Sequence, residues 1–233
     1  MRICGLQKMT LLDYPGKVAC TVFLGGCNFR CPFCHNGELL DGTAEQIMEH
    51  DELLAFLSKR KGLLDAVCIS GGEPTLQPGL AALLEQIKAM GYLTKLDTNG
   101  SRPEVLAELV SRNLLDYVAM DIKNSPDLYS RTAGADVSLE KIGQSIHFLT
   151  QGEVDYEFRT TVVAQLHSSE SVTRMGEWAA AIAQDKKIKR WFVQPFADRD
   201  TVLFGGLCAP DAGQLSEFAG ILGRFSLHSS LRG

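Results

Sequence analysis

Cys27, Cys31 and Cys34 fall within eight positions of the stretch GGCNFRCPFCHN at residues 25–36. Spacings of four and three residues let one short loop turn three sulfurs toward a common centre, which is a metal-binding pattern. The other four of the seven cysteines, Cys4, Cys20, Cys68 and Cys208, stand singly. An odd, unevenly clustered set is not the framework of a secreted disulfide protein. Two fillings remain open. Structural zinc takes four protein ligands in a tetrahedron, yet there is no second cysteine pair, and His35, directly beside Cys34, is awkwardly placed to share one ion with it. A [4Fe-4S] cube also normally takes four thiolates. Held by three, it keeps one iron open, as catalytic metal sites keep a position open for a small molecule.

The elements that must position this loop alternate along the chain. Apolar, β-branched runs at 18–24, 66–70, 92–97, 116–122, 156–163 and 189–196 read as buried strands. Helical patterning lies near 51–61, 78–90, 103–114, 138–150, 171–184 and 211–223. In the second of these, Leu80, Leu83, Leu84 and Ile87 form a core-facing stripe. Six βα units predict an α/β protein with a parallel sheet, either doubly wound or a complete or partial barrel. Chemistry in such folds gathers beyond the carboxyl ends of the strands. Those ends carry the unusual residues: Gly25-Gly26-Cys27, SGGEP at 70–74, DTNG at 97–100, MDIK at 120–123, Arg159 within the fifth run, and QPFAD at 194–198.

Composition narrows the partners. With 233 residues, 45% hydrophobic content and a net charge of −5, the chain can bury a full core and carries no global basic field for nucleic acid or an anionic membrane. No signal-like h-region opens it, and no apolar run reaches the roughly 18 residues of a membrane span. A cytoplasmic protein without nucleic-acid or membrane partners is expected. No linker or repeat divides it, so a single domain is expected over 1–233, with an N-terminal segment at 1–16, a core at 17–200 and a C-terminal helix and tail at 201–233.

The CxxxCxxC run after the first strand, with Phe33 just before the third cysteine, resembles the signature of the radical S-adenosylmethionine superfamily. The resemblance implies a partial TIM barrel, (β/α)6, and a [4Fe-4S] cluster on Cys27, Cys31 and Cys34 whose open iron chelates S-adenosylmethionine. Reductive cleavage of that cofactor then yields a 5′-deoxyadenosyl radical. It also implies that Gly71, Gly72 and Glu73 hold the cofactor's amino group, and that Phe33, His35 and Asn36 lie near its adenosyl part. The CHN, DTNG and DIK motifs are further similar to activating enzymes of glycyl radical enzymes. The run LxDYPGKVACTVFLGGCNFRCPFCHNGEL looks most like those of anaerobic ribonucleoside-triphosphate reductase. In formate-lyase-type activases the Asp and Thr of DTNG and a Met on the next strand form a monovalent-cation site. Asp97, Thr98 and Met120 match it. Asp121, Lys123 and Arg159 match residues that contact the cofactor. A glycyl radical enzyme and a low-potential donor such as flavodoxin or ferredoxin are the implied partners.

Simpler readings accompany several of these residues. Met120 on an apolar strand is often core, and Asp121 with Lys123 at i, i+2 is also an ordinary salt bridge. Cys20 and Cys68 read as small hydrophobes within strands, Cys208 as an exposed thiol, and His147 and His167 as surface histidines. Formate-lyase activases carry a His after the Pro and aromatic of the sixth strand, where this chain has Ala197, so that contact is missing or supplied elsewhere. The segment Leu12-Asp13-Tyr14-Pro15 and the loop around Gly205 are expected to border the partner's approach. Two other classes stay open: a radical enzyme acting on a small molecule, and a non-enzymatic iron–sulfur or zinc protein.

Overall fold

The computed structural model describes residues 1–40, 43–184 and 186–232. Eight strands adjoin in chain order in one mostly parallel sheet that does not close: β1 (Ile3–Thr10), β2 (Ala19–Leu24), β3 (Ala66–Gly71), β4 (Leu93–Thr98), β5 (Tyr117–Asp121), β6 (Asp155–Val162), β7 (Ile188–Pro195) and β8 (Ser226–Leu231). The helices are α1 (His50–Lys59), α2 (Leu80–Ala89), α3 (Pro103–Ser111), α4 (Tyr129–Ala133), α5 (Leu139–Gln151), α6 (Ser169–Ala183) and α7 (Ala212–Gly223). Strands β2 to β7 are the six expected from sequence, and six of the helices meet the expected segments. The α/β class is therefore observed, with two strands added. The N-terminal segment forms β1, which runs antiparallel to β2, and the expected C-terminal tail forms β8, parallel to β7.

The chain divides into two compact units. The first holds Met1–Asn28, Glu38–Thr98 and Glu104–Val118. Its β2, β3 and β4 pair in parallel, placing Thr21, Cys68 and Lys95 in one row across the sheet and Phe23 beside Ser70 two residues on. Side chains alternate along a strand, so each such row faces one side. Cys20 and Cys68 are fully buried, as small hydrophobes in strands should be. Tyr14 is also buried, tilted against Tyr117 at 5.6 Å between ring centroids and packed with Ala19, Ala66 and Cys68. It anchors its segment in the core rather than facing outward, while Leu12 beside it is 81% exposed. The Leu80, Leu83, Leu84 and Ile87 stripe of α2 is buried as expected.

The second unit holds Phe29–Gly37, Asn99–Pro103 and Ala119–Gly233. Strands β6, β7 and β8 pair in parallel. Its three longer helices start on side-chain caps: Ser138 accepts from the Lys141 N–H, and Ser168–Ser171 and Asp211–Gln214 form capping boxes that satisfy otherwise orphaned donors. Trp191 is buried edge-on to Phe158 and donates its indole N–H to Thr160 Oγ1 at 3.0 Å. The buried Glu157 carboxylate takes a bidentate pair of hydrogen bonds from Arg232, whose guanidinium lies 3.5 Å from the Phe192 ring centroid. A planar guanidinium suits both contacts, and they fasten the chain's last strand. Among the described residues no helix is long and apolar enough to cross a membrane.

Candidate active site

In the first unit the end of β3 comes against the end of β2. Gly72 N–H donates to Leu24 O and Glu73 N–H to Gly26 O, each at 2.8 Å. Gly71 adopts φ +116°, and a Cβ on Gly72 would run into the Gly26 carbonyl, so both positions need glycine. Gly26 N–H and Cys27 N–H donate to Leu39 O and Leu40 O, which fixes where the cysteine loop departs. Glu73 is 1% exposed. Its Oε1 accepts from Thr75 N–H at 3.1 Å, Thr75 Oγ1 at 2.5 Å and Thr98 Oγ1 at 2.8 Å. A buried carboxylate needs such donors, and they hold this one in a single orientation. Asp97 accepts from Lys95 Nζ at 2.5 Å and from Ser70 Oγ at 3.1 Å.

In the second unit Cys31 and Cys34 are joined by a Cys34 N–H bond to Cys31 O at 3.0 Å. Burial pushes both thiols up. The Lys123 ammonium opposes it at Cys31, and the Asn36 backbone N–H and then Lys123 oppose it at Cys34. Lys123 Nζ and Arg159 Nε both hold Asp121, at 3.0 and 2.9 Å. Burial alone would raise the Asp121 carboxyl, but Arg159 and Lys123 outweigh it and hold it at about 2. Burial likewise disfavours the Lys123 ammonium, and Asp121 reverses that, raising it above the ordinary lysine value. The ordinary salt bridge read from the i, i+2 spacing is present, and Arg159 joins it.

The loop after β7 grips the cysteine loop within this unit. His35 Nε2 donates to Ala197 O at 2.7 Å, and its ring stacks on Phe196 at 5.7 Å between centroids. Thr201 Oγ1 donates to His35 O at 2.7 Å, and Phe204 N–H to Pro32 O at 3.3 Å. Where formate-lyase activases carry a histidine, this chain has Ala197, and it is His35 that contacts this segment. Phe33 is buried. Met120 is buried in β5, its Sδ and methyl against Gly100, so its thioether packs as core.

Within the second unit the donors suit an iron–sulfur cluster: the buried Cys31 thiol and the half-buried Cys34 thiol come from one loop, with the Lys123 cation to favour thiolate, while the first unit carries its own glycine cradle and fixed carboxylate. Among the described residues no three His, Cys, Asp or Glu side chains are close enough to hold one metal ion. A cube with separate iron corners takes its thiolates further apart than a single ion does. The radical SAM superfamily pattern matches residues 21–167, more than half of the chain. The chain belongs to the radical SAM superfamily. Members of that family bind a [4Fe-4S] cluster and S-adenosylmethionine.

Among radical SAM relatives, a Methanocaldococcus jannaschii protein named provisionally as a glycyl-radical enzyme activating enzyme is 31% identical, over 96% of this chain and 92% of its own length. The pyruvate formate-lyase-activating enzyme of Clostridium pasteurianum is 34% identical over 54% of each chain. A Thermococcus kodakarensis protein named provisionally as a GTP 3′,8-cyclase is 29% identical over 66% of this chain and 57% of its own. The chain spans little more than half the length of these last two. A crystallised domain of pyruvate-formate lyase-activating enzyme from Bacteroides vulgatus superposes with a TM-score of 0.59 at 19% identity, covering 72% of this chain and 99% of that one. At that identity the likeness speaks for the fold alone.

A histidine of this radical SAM protein departs from its expected place. His167, expected at the surface, is buried. A neutral ring satisfies both nitrogens, with Nε2–H donating to Lys123 O at 2.9 Å and Nδ1 accepting from Val163 N–H at 3.0 Å. Burial accordingly lowers its pKa. It positions the backbone of Lys123. Nothing in a lone histidine four residues beyond a strand announces that contact, whereas His147 is exposed as expected.

Proposed function

We propose that this protein is a radical SAM activase: it cleaves S-adenosylmethionine reductively and uses the resulting radical to remove a glycine Cα hydrogen from a partner enzyme, anaerobic ribonucleoside-triphosphate reductase. The alignment over nearly the full length of both chains with a relative named for that class carries the reading. The run from Leu11 through Leu39 supports the choice of reductase. A radical SAM enzyme acting on a small molecule is the second reading, favoured by the likeness to the cyclase-named relative.

In the proposal residues 1–233 act as one radical SAM domain in the cytoplasm, where thiols stay reduced. Cys27, Cys31 and Cys34 ligate the cluster, which, with S-adenosylmethionine bound and an electron from flavodoxin or ferredoxin, supplies the 5′-deoxyadenosyl radical. Gly71, Gly72 and Glu73 receive the cofactor's amino group, the glycines by close approach of backbone and Glu73 by a carboxylate already oriented by Thr75 and Thr98. Phe33, His35 and Asn36 border its adenosyl part. Lys123 and Arg159, two cations on the Asp121 carboxylate, are placed to contact the cofactor's anionic group. The residues' task is positioning.

Cluster reconstitution without oxygen, followed by titration with S-adenosylmethionine, tests the site. Cys34→Ala should lose the visible iron–sulfur absorption, and Glu73→Gln should keep it while weakening cofactor binding by about tenfold or more, one charge-assisted contact being worth 1.5–3 kcal/mol. A Glu73→Gln protein that binds as tightly as the parent contradicts the assigned role.

A further inference from the structure

Lys95 is the one buried lysine in the row formed by Thr21, Cys68 and Lys95 across β2, β3 and β4, and it is 1% exposed. Its ammonium lies 2.5 Å from Asp97 Oδ1, two residues along the same strand face, and Ser70 Oγ donates to Asp97 Oδ2. A lysine in such a place persists only because it is paired. Asp97 is the carboxylate that the resemblance assigns to a monovalent cation, together with Thr98 and Met120. Within the first unit neither the Asp97 nor the Thr98 side chain is turned to such an ion: the Asp97 oxygens take Lys95 and Ser70, and Thr98 donates its hydroxyl to Glu73. A bound potassium or sodium ion would compete for the oxygen that Lys95 holds, and would add a second positive charge beside an ammonium in a low-dielectric setting.

We propose that the Lys95 ammonium is the built-in counter-ion of Asp97, so that this protein needs no monovalent metal cation where formate-lyase-type activases are expected to use one. The inference rests on the activase reading only for that expectation; the ion pair itself stands on the fold. A tethered ammonium supplies the unit charge at fixed position and is not diluted away, so neither the folded state nor cofactor cleavage depends on which alkali ion is in solution.

The full chain, without cluster or cofactor, is melted in potassium chloride, sodium chloride and tetramethylammonium chloride at equal ionic strength. The parent should melt within about 1 °C in all three, whereas Lys95→Met should gain about 3 °C or more in potassium or sodium over tetramethylammonium, because Asp97 then recruits an ion. The double variant Lys95→Met, Asp97→Asn should lose that response. A parent stabilised by alkali ions, or a folded Lys95→Met protein indifferent to them, overturns the proposal. If Lys95→Met does not fold, folding of the double variant supports it, since the two differ only in the Asp97 carboxylate; failure of both overturns it in favour of a packing role for the lysine stem. In the reconstituted parent, 5′-deoxyadenosine formation should change less than twofold when tetramethylammonium replaces potassium, and a larger loss also overturns it. A preparation that never cleaves S-adenosylmethionine contradicts the activase reading alone, because the melting comparison needs no cofactor.

Discussion

Two Asp–Lys pairs at i, i+2 behave differently. On β4, Lys95 pairs with Asp97, and a serine hydroxyl takes the other carboxylate oxygen. At the end of β5, Asp121 is shared by Lys123 and Arg159, two cations on one carboxylate, and the thiols of Cys31 and Cys34 feel the Lys123 charge. The same spacing thus sets one lysine on a carboxylate in one place, and two cations on a carboxylate beside thiols in the other. The surroundings of the pair, not its pattern, decide its chemistry.

Breaking the second set should have the larger effect. Asp121→Asn takes the shared carboxylate from two largely enclosed cations and is expected to destabilise by about 3 kcal/mol, measured by urea unfolding. A change under 1 kcal/mol would mean the pair is effectively solvated. Acid should reach the same set. Asp121 titrates at about 2 in the folded chain against an ordinary 3.8, so the unfolded state binds the extra proton first. Its contribution, about 2 kcal/mol, is present above pH 4 and disappears as pH falls toward 2. In Asp121→Asn that acid-linked share of the loss should vanish.

Smaller still is the effect of His167. Replacing it by Phe removes the Nε2–H bond to Lys123 O and the acceptor for Val163 N–H, costing about 1–2 kcal/mol. Because the histidine acts through Lys123, cofactor affinity should fall while the Lys95–Asp97 pair keeps its indifference to alkali ions. Asn at 167 should recover part of the loss. Equal behaviour of Phe and Asn variants in cofactor titration would reduce His167 to packing.

The six central strands were legible because each is a mostly apolar run rich in β-branched and aromatic residues, the mark of a strand in a covered sheet. The outer two were not. β1 reads ICGLQKMT with mostly half-exposed or exposed positions, and β8 reads SLHSSL, two leucines among serines and a histidine. Strands with one wet face and little apolar length give no such signal, and the five-residue α4 is too short for helical periodicity. In the candidate site, the cysteines, the glycine pair and Glu73 were legible as spaced motifs at strand ends. Lys95 and His167 were not, since burial of a polar side chain depends on partners far along the sequence: Ser70 against Asp97, and Lys123 against His167.

The central claim is that three loop cysteines, a carboxylate at Glu73 and a cation-rich set around Asp121 serve radical generation for a protein partner. Electron paramagnetic resonance tests it most directly: the reconstituted, dithionite-reduced protein is mixed with S-adenosylmethionine and anaerobic ribonucleoside-triphosphate reductase. The account predicts a glycyl radical signal on the reductase, formed with about one 5′-deoxyadenosine per radical and absent with Cys34→Ala. Formation of 5′-deoxyadenosine with no radical on the reductase would contradict the activase reading, and absence of both would contradict the site itself.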